Sequence, residues 1–178
     1  MNNIDLKNLS AQPAQLDDCS RLVEVVQRAY RGGLAEVGWK NEHHLVTGPR
    51  IDQIKMSTLL EASDKAVLKV VVDNVIAACV LAEKHGNAVH IGMLAVDPDY
   101  QNLKIGQVLV RSAEDFARQN FGCNVAKMFV LAQRAELLAW YARLGYEPTG
   151  EKEDFPSDAE GSQPVEADTY LQVIEKKI

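Results

Sequence analysis

The stretch HIGMLAVDPDYQNLKIGQVLVRSAEDFAR, residues 90–118, decides how the rest of the chain is read. It opens as a strand, part of AVHIGMLAV (88–96), and stops at Asp97-Pro98-Asp99. A short loop, QNLKIG (101–106), then runs into IGQVLVRSAEDFARQN. In that segment Leu109, Ala113, Phe116 and Ala117 recur at helical spacing, and Gly122 stops it. A strand that hands over to a helix leaves the first-turn N–H groups without partners at the positive end of the dipole. Such a junction holds anions, and successive loop N–H groups can form a nest for a pyrophosphate. With one glycine, Gly106, the junction alone is most often a plain connection. Neither GxxxxGK[ST] nor GxGxxG is present.

Working outward, AVLKVVVDN (66–74) and VIAACVLAEKH (75–85) are rich in β-branched valine, with isoleucine at 76, and read as strands joined at Asp73-Asn74. With the strand after Gly86-Asn87 they form an antiparallel meander. Upstream, residues 9–14 form a short strand. LDDCSRLVEVVQRAY (16–30) is a helix with Asp17 as N-cap and Leu22, Val25, Val26 and Ala29 on its buried face. Residues 31–50 read as a loop or short helix, and IDQIKMSTLLEA (51–62) as a second helix. Downstream come a buried strand, VAKMFVLA, a helix, AELLAWYARLG, with Gly145 past its end, and strands near 146–151 and 169–175. The expected fold class is α/β of the α+β kind. It has a mixed, mostly antiparallel six- to seven-stranded sheet, helices on both faces, a parallel crossover over 88–132, and one domain over 1–178.

Composition narrows the class. Of 178 residues, 47% are apolar and 25% charged, and formal net charge is −6. Lysines and arginines are scattered, which argues against nucleic acid. No apolar run approaches about 18 residues, so no membrane partner is expected. The N-terminus lacks the pattern of a secretory signal. Cys19, Cys79 and Cys123 are far apart and form no CxxC pair, so no metal site is expected and a cytoplasmic location is.

MLAVDPDYQNLKIGQVLV (93–110), followed by RAELLAWYARLGYEPTG (134–150), resembles the GNAT N-acetyltransferase superfamily. Gln101 and Gly106 take the first and last places of its Arg/Gln-x-x-Gly-x-Gly/Ala signature. Tyr141, Gly145 and Tyr146 fill the downstream one. The resemblance spans about 75–151; before residue 66 it rests on element order. It implies acetyl-CoA as cosubstrate and a small-molecule or peptide amine as acceptor. Backbone of Met93, Leu94, Ala95 and Val96 would run beside the pantetheine arm, in a gap opened by a bulge. Amides of Asn102, Leu103, Lys104, Ile105, Gly106 and Gln107 would hold the pyrophosphate, with Gln101 orienting the loop. Arg134 would touch the cofactor, its alternative being a surface arginine on a carboxylate. Tyr141 would protonate the leaving thiolate, its alternative being a core tyrosine. The base is His90, Glu83 or a water chain.

Lys104 departs from the signature, which has glycine there. The lysine places an ammonium near a phosphate, lies in solvent with only its backbone used, or weakens cofactor binding. The resemblance implies acceptor entry between residues 30–50 and 152–168. These hold Tyr30, Trp39, Glu42, His43, His44 and Arg50, and Glu153, Asp154, Phe155, Asp158, Glu160 and Glu166. A homodimer is compatible with this reading. The rival readings are an acyl-CoA-binding sensor of the same fold and an unrelated nucleotide-binding protein.

Overall fold

The computed structural model describes residues 9–32, 42, 44–155, 163–165 and 168–178. The expectations for Trp39, His43, Asp158, Glu160 and Glu166 lie outside them. The elements are β1 (Ala11–Pro13), α1 (Cys19–Arg31), β2 (Val46–Thr47), α2 (Gln53–Glu61), β3 (Lys65–Val72), β4 (Val75–His85), β5 (Ala88–Val96), α3 (Ile105–Phe116), β6 (Val125–Leu131), α4 (Ala135–Arg143), β7 (Glu147–Asp154), β8 (Gln163–Pro164) and β9 (Tyr170–Lys177). Seven strands form one sheet in the order β1-β3-β4-β5-β6-β9-β7, all antiparallel except the β5–β6 pair. A separate pair joins β2 to β8.

Alternation along β3–β5 divides the interior in two. Val67, Cys79 and Ala95 face α1 and α2, where Leu22, Val25, Val26, Met56 and Leu59 cover them. Leu68, Val80 and Leu94 face the other way, under Leu109, Val110 and Ala113 of α3 and Leu137 of α4. Each valine, leucine or methionine among them, once removed from water, contributes about 1.5–3 kcal/mol. The meander turns at the expected pair, where Asp73 and Asn74 have φ of 49° and 64°. That is the double positive φ of a type I′ hairpin.

Two local details differ from the sequence reading. The first helix is entered by a 3-10 turn, Leu16–Asp18, so Asp17 lies inside the turn and is not a cap. Asp18 instead reaches back to accept from the Gln15 N–H at 2.7 Å, a reciprocal device at the helix entry. The last turn after α3 widens into a π-helical turn, Ala117–Phe121, before Gly122 closes it with φ 67°.

The feature that creates a site is a disagreement between neighbouring strands. β5 pairs with β6 only over Ala88–His90, opposite Val125–Lys127. Beyond His90 the two part, although β5 runs on to Val96 and β6 to Leu131. The cause lies in β5. Cys79 stands opposite Ala95, but Leu81 stands opposite Gly92, so β5 holds one residue more than β4 across that interval. Met93, inside the bulge, has φ 48°. An inserted residue bends its strand and ends regular pairing.

Candidate active site

Two cavities meet along the bulged strand, and Leu94 lines both. The smaller, about 370 Å³, sits over the loop before α3 and is lined by Val96, Gln101, Asn102, Lys104, Gly106 and Trp140, among others. The larger, about 660 Å³, opens between β5 and β6 and reaches Tyr30, His90, Tyr141 and Phe155.

The loop under the smaller cavity has the backbone an anion needs. Asn102 and Lys104 have φ of 65° and 59°. Lys104 is the N-cap of α3 in the left-handed region. Residues of opposite hand in succession turn their N–H groups inward. No described residue accepts a hydrogen bond from the N–H groups of Asn102 to Gly106. Gln107 is different from the expectation, because its N–H bonds the Lys104 carbonyl at 3.1 Å. Gln101 places its amide 3.5 Å from the Val96 carbonyl, so it bridges strand end and loop. Gly106 faces the Trp140 ring, which a methyl group there would meet at 3.7 Å. Arg143 adds a second cation beside Lys104 at this mouth.

The loop is anchored from beneath by a residue that the sequence marked only as part of the strand's end. Asp97 is fully buried. It accepts from Arg21 Nη2 at 2.8 Å and Arg28 Nη1 at 3.0 Å, both on α1, and from its own loop at Asp99 N–H. Arg28 also reaches Asp99. Helix α1 is thereby tied to the start of the loop.

In the larger cavity, Tyr141 projects from α4 and is 5% exposed. Burial pushes its phenol well above the ordinary value, and the neighbouring Tyr30 and Glu42 add to the shift. Tyr30 at the end of α1 is buried too, and its hydroxyl donates to the Leu94 carbonyl at 3.0 Å in the bulge. Burial likewise raises its pKa. His90 stacks on His85 with ring centroids 3.8 Å apart and meets Phe129 edge-on. Its pKa is lowered, first by burial and then by His85, with Glu83 opposing and Lys127 reinforcing. Glu83, across the strand from His90, is occupied by Lys65 at 2.7 Å and His85 at 3.1 Å. Burial alone would raise its pKa, but those two partners bring the carboxyl below its ordinary range.

Arg134, at the N-cap of α4, is 4% exposed and lies against Glu136 at 2.6 Å and Glu42 at 3.7 Å. It lines neither cavity. Of the expected residues, then, the cofactor-side Met93 and Leu94, the candidate bases His90 and Glu83, Tyr141, and the acceptor-side Tyr30, Glu42, Arg50, Glu153, Asp154 and Phe155 line the larger cavity, while Leu103 lines neither. Leu94, Val96, Gln101, Asn102, Lys104, Ile105, Gly106 and Gln107 line the smaller. Ala95 is buried under α1 and α2, so only its backbone could take part. Arg31, Lys55, Trp140 and Arg143 line the cavities without having been singled out from the sequence. Among the described residues no helix is long and apolar enough to cross a membrane.

The model of the acetyltransferase (GNAT) family matches residues 25–146. No curated protein matches the chain by sequence. Similar solved structures include the PaiA N-acetyltransferase from Thermoplasma acidophilum in complex with coenzyme A. It is 18% identical, with TM-score 0.68 over 96% of this chain and 99% of that one. The ribosomal-protein-alanine N-acetyltransferase from Brucella melitensis gives TM-score 0.71 at 16% identity over 94% and 99%. The spermidine/spermine N-acetyltransferase SpeG from Vibrio cholerae, in complex with manganese ions, gives 0.67 at 9% over 97% and 94%. These likenesses show the fold.

Proposed function

The chain belongs to the acetyltransferase (GNAT) family, and from that premise we propose that it transfers an acetyl group from acetyl-CoA directly to a primary amine of a small molecule or peptide. The observation that carries the proposal is the open wedge between β5 and β6, with unbonded amides at one end and a buried phenol at the other. A solved relative of the same fold is in complex with coenzyme A, which supports the choice of carrier. The site residues fit such a molecule. Free N–H groups of Asn102 to Gly106, with Lys104 and Arg143, suit the phosphates. The unpaired side of β5 beyond His90 suits an amide-bearing arm added like a strand.

The thioester supplies an acyl group already activated for transfer to nitrogen. The chain supplies position and protons. Tyr30 occupies the Leu94 carbonyl and so fixes the bulge, which leaves β5 open toward β6. Tyr141, kept protonated by burial, donates to sulfur as it leaves. His90, kept neutral by its surroundings, takes the amine proton directly or through water. Glu83 is the poorer base because Lys65 and His85 already hold it charged. Arg134 acts through Glu42 and Glu136 and not on the carrier. In this reading residues 1–178 act as one acetyltransferase domain, working in the cytoplasm.

Thermal shift with acetyl-CoA, followed by thiol release over a panel of amines, tests the proposal. Binding with turnover, and a loss of about 10²-fold or more in kcat for Tyr141→Phe with unchanged acetyl-CoA affinity, is the expected result. Binding without turnover, and no effect of Tyr141→Phe, would support the acyl-CoA sensor instead.

A further inference from the structure

Resting on the transfer proposed above, we infer that the acceptor amine carries a carboxylate, as a free amino acid does, and that Arg50 binds that carboxylate.

One wall of the larger cavity, where α1 ends and the chain enters α2, is basic: Arg31, Arg50 and Lys55 line it. The described carboxylate on that wall, Glu42, is already covered, with Arg31 at 3.6 Å and Arg134 at 3.7 Å. Arg31 is committed as well, since its Nε donates to the Gly48 carbonyl at 2.8 Å and its Nη1 to the Tyr30 carbonyl at 3.3 Å. Arg50 is held differently. Its backbone N–H bonds the Gln27 side chain at 2.8 Å, and its guanidinium lies over the Tyr30 ring, 5.2 Å from the centroid. Among the described residues its guanidinium makes no ion pair and no hydrogen bond. A guanidinium anchored by stacking keeps its N–H edge for a planar anion, which it grips with two parallel bonds.

The acids face the cavity from β7, where Glu153 and Asp154 stand at the strand's end, since Glu83 beside His90 is already held by Lys65 and His85. The cavity is therefore positive beside Tyr30 and negative toward β7. A linear polyamine, cationic throughout, would set an ammonium against Arg31, Arg50 and Lys55. A zwitterion matches both ends, with its amine toward His90 and its carboxylate on Arg50. Tyr30 sets the scale. Its hydroxyl touches the Leu94 carbonyl while its ring face holds Arg50. One phenol thus separates the anion site from the strand along which the thioester lies, so the carboxylate sits within a few bonds of the amine.

The test uses acetyl-CoA with free amino acids, their amides, their decarboxylated amines and spermidine, read by thiol release. At least one free amino acid is turned over, and its amide falls by tenfold or more in kcat/KM. Arg50→Gln raises KM for that amino acid about 10- to 100-fold and leaves KM for acetyl-CoA unchanged; Arg50→Lys, which keeps charge but not the fork, falls between. Equal use of carboxylate-free amines, or an unmoved KM in Arg50→Gln, overturns the inference while leaving the transfer reading intact. If acetyl-CoA binds but no amine is acetylated, the transfer reading fails. The anion site is then read by calorimetry of N-acetyl amino acids on the protein loaded with coenzyme A. Affinity lost tenfold in Arg50→Gln upholds it, and equal or absent binding in both proteins overturns it.

Discussion

Replacing Asp97 by alanine removes the post that ties α1 to the phosphate-side loop. The carboxylate is fully buried and accepts two charge-assisted bonds, from Arg21 and Arg28, plus one from the Asp99 N–H. A charge-assisted bond contributes about 1.5–3 kcal/mol. Breaking a fully buried pair costs about 3–5 kcal/mol, largely because a charge is stranded. Here the two arginine side chains are 25% and 27% exposed, so water recovers part of that loss. The net effect is about 3 kcal/mol. At about 2–4 °C per kcal/mol for a chain of this size, Tm falls by about 6–12 °C. Denaturant melts of Asp97→Ala and Asp97→Asn measure it. The asparagine keeps an acceptor for the Asp99 N–H and recovers only a minor share. A loss under about 1 kcal/mol in Asp97→Ala would refute the reasoning, since it would mean that the pair behaves as a surface contact.

Three further outcomes are expected. His90, with its pKa lowered by burial and by His85 and Lys127, stays neutral below the ordinary histidine range. The acid limb of kcat/KM therefore falls below pH 6.5, Lys127→Met moves it upward, and His90→Gln abolishes it; a limb that survives His90→Gln assigns the base elsewhere. Lys104→Gly relieves a left-handed φ of 59° and stabilises the fold by about 1 kcal/mol, measured by the same melts. Tyr30→Phe releases the Leu94 carbonyl, costing about 1 kcal/mol and loosening the bulge. Faster amide exchange over residues 92–95 reports it, and unchanged exchange speaks against that role.

The fold was legible where the signal is local. Period-two alternation in β3–β5, the Asp73-Asn74 turn, and the helix faces around Leu22 and Leu109 each depend on a few neighbouring residues. The β2–β8 pair was not legible, because two-residue strands far apart in sequence have no period to read. Nor was the entry to α1, where Gln15 and Asp18 replace the expected aspartate cap. At the site, backbone geometry followed from the strand–loop–helix order, and the departure at Lys104 proved to be a left-handed residue in the place of a glycine. The rest is tertiary. Tyr30 meets Leu94, Arg21 and Arg28 meet Asp97, and Arg134 meets Glu42 only once the sheet is assembled. Nothing in the spacing of those residues announces the contacts.

The claim that everything else depends on is where the carrier sits. Titrating coenzyme A into labelled protein, and following backbone amides by two-dimensional NMR, tests it most directly. The prediction is saturable shifts concentrated at Asn102–Gly106 and along Leu94–Val96, with acetyl-CoA competing for the same positions. Shifts clustered elsewhere, or none at millimolar coenzyme A, would contradict it.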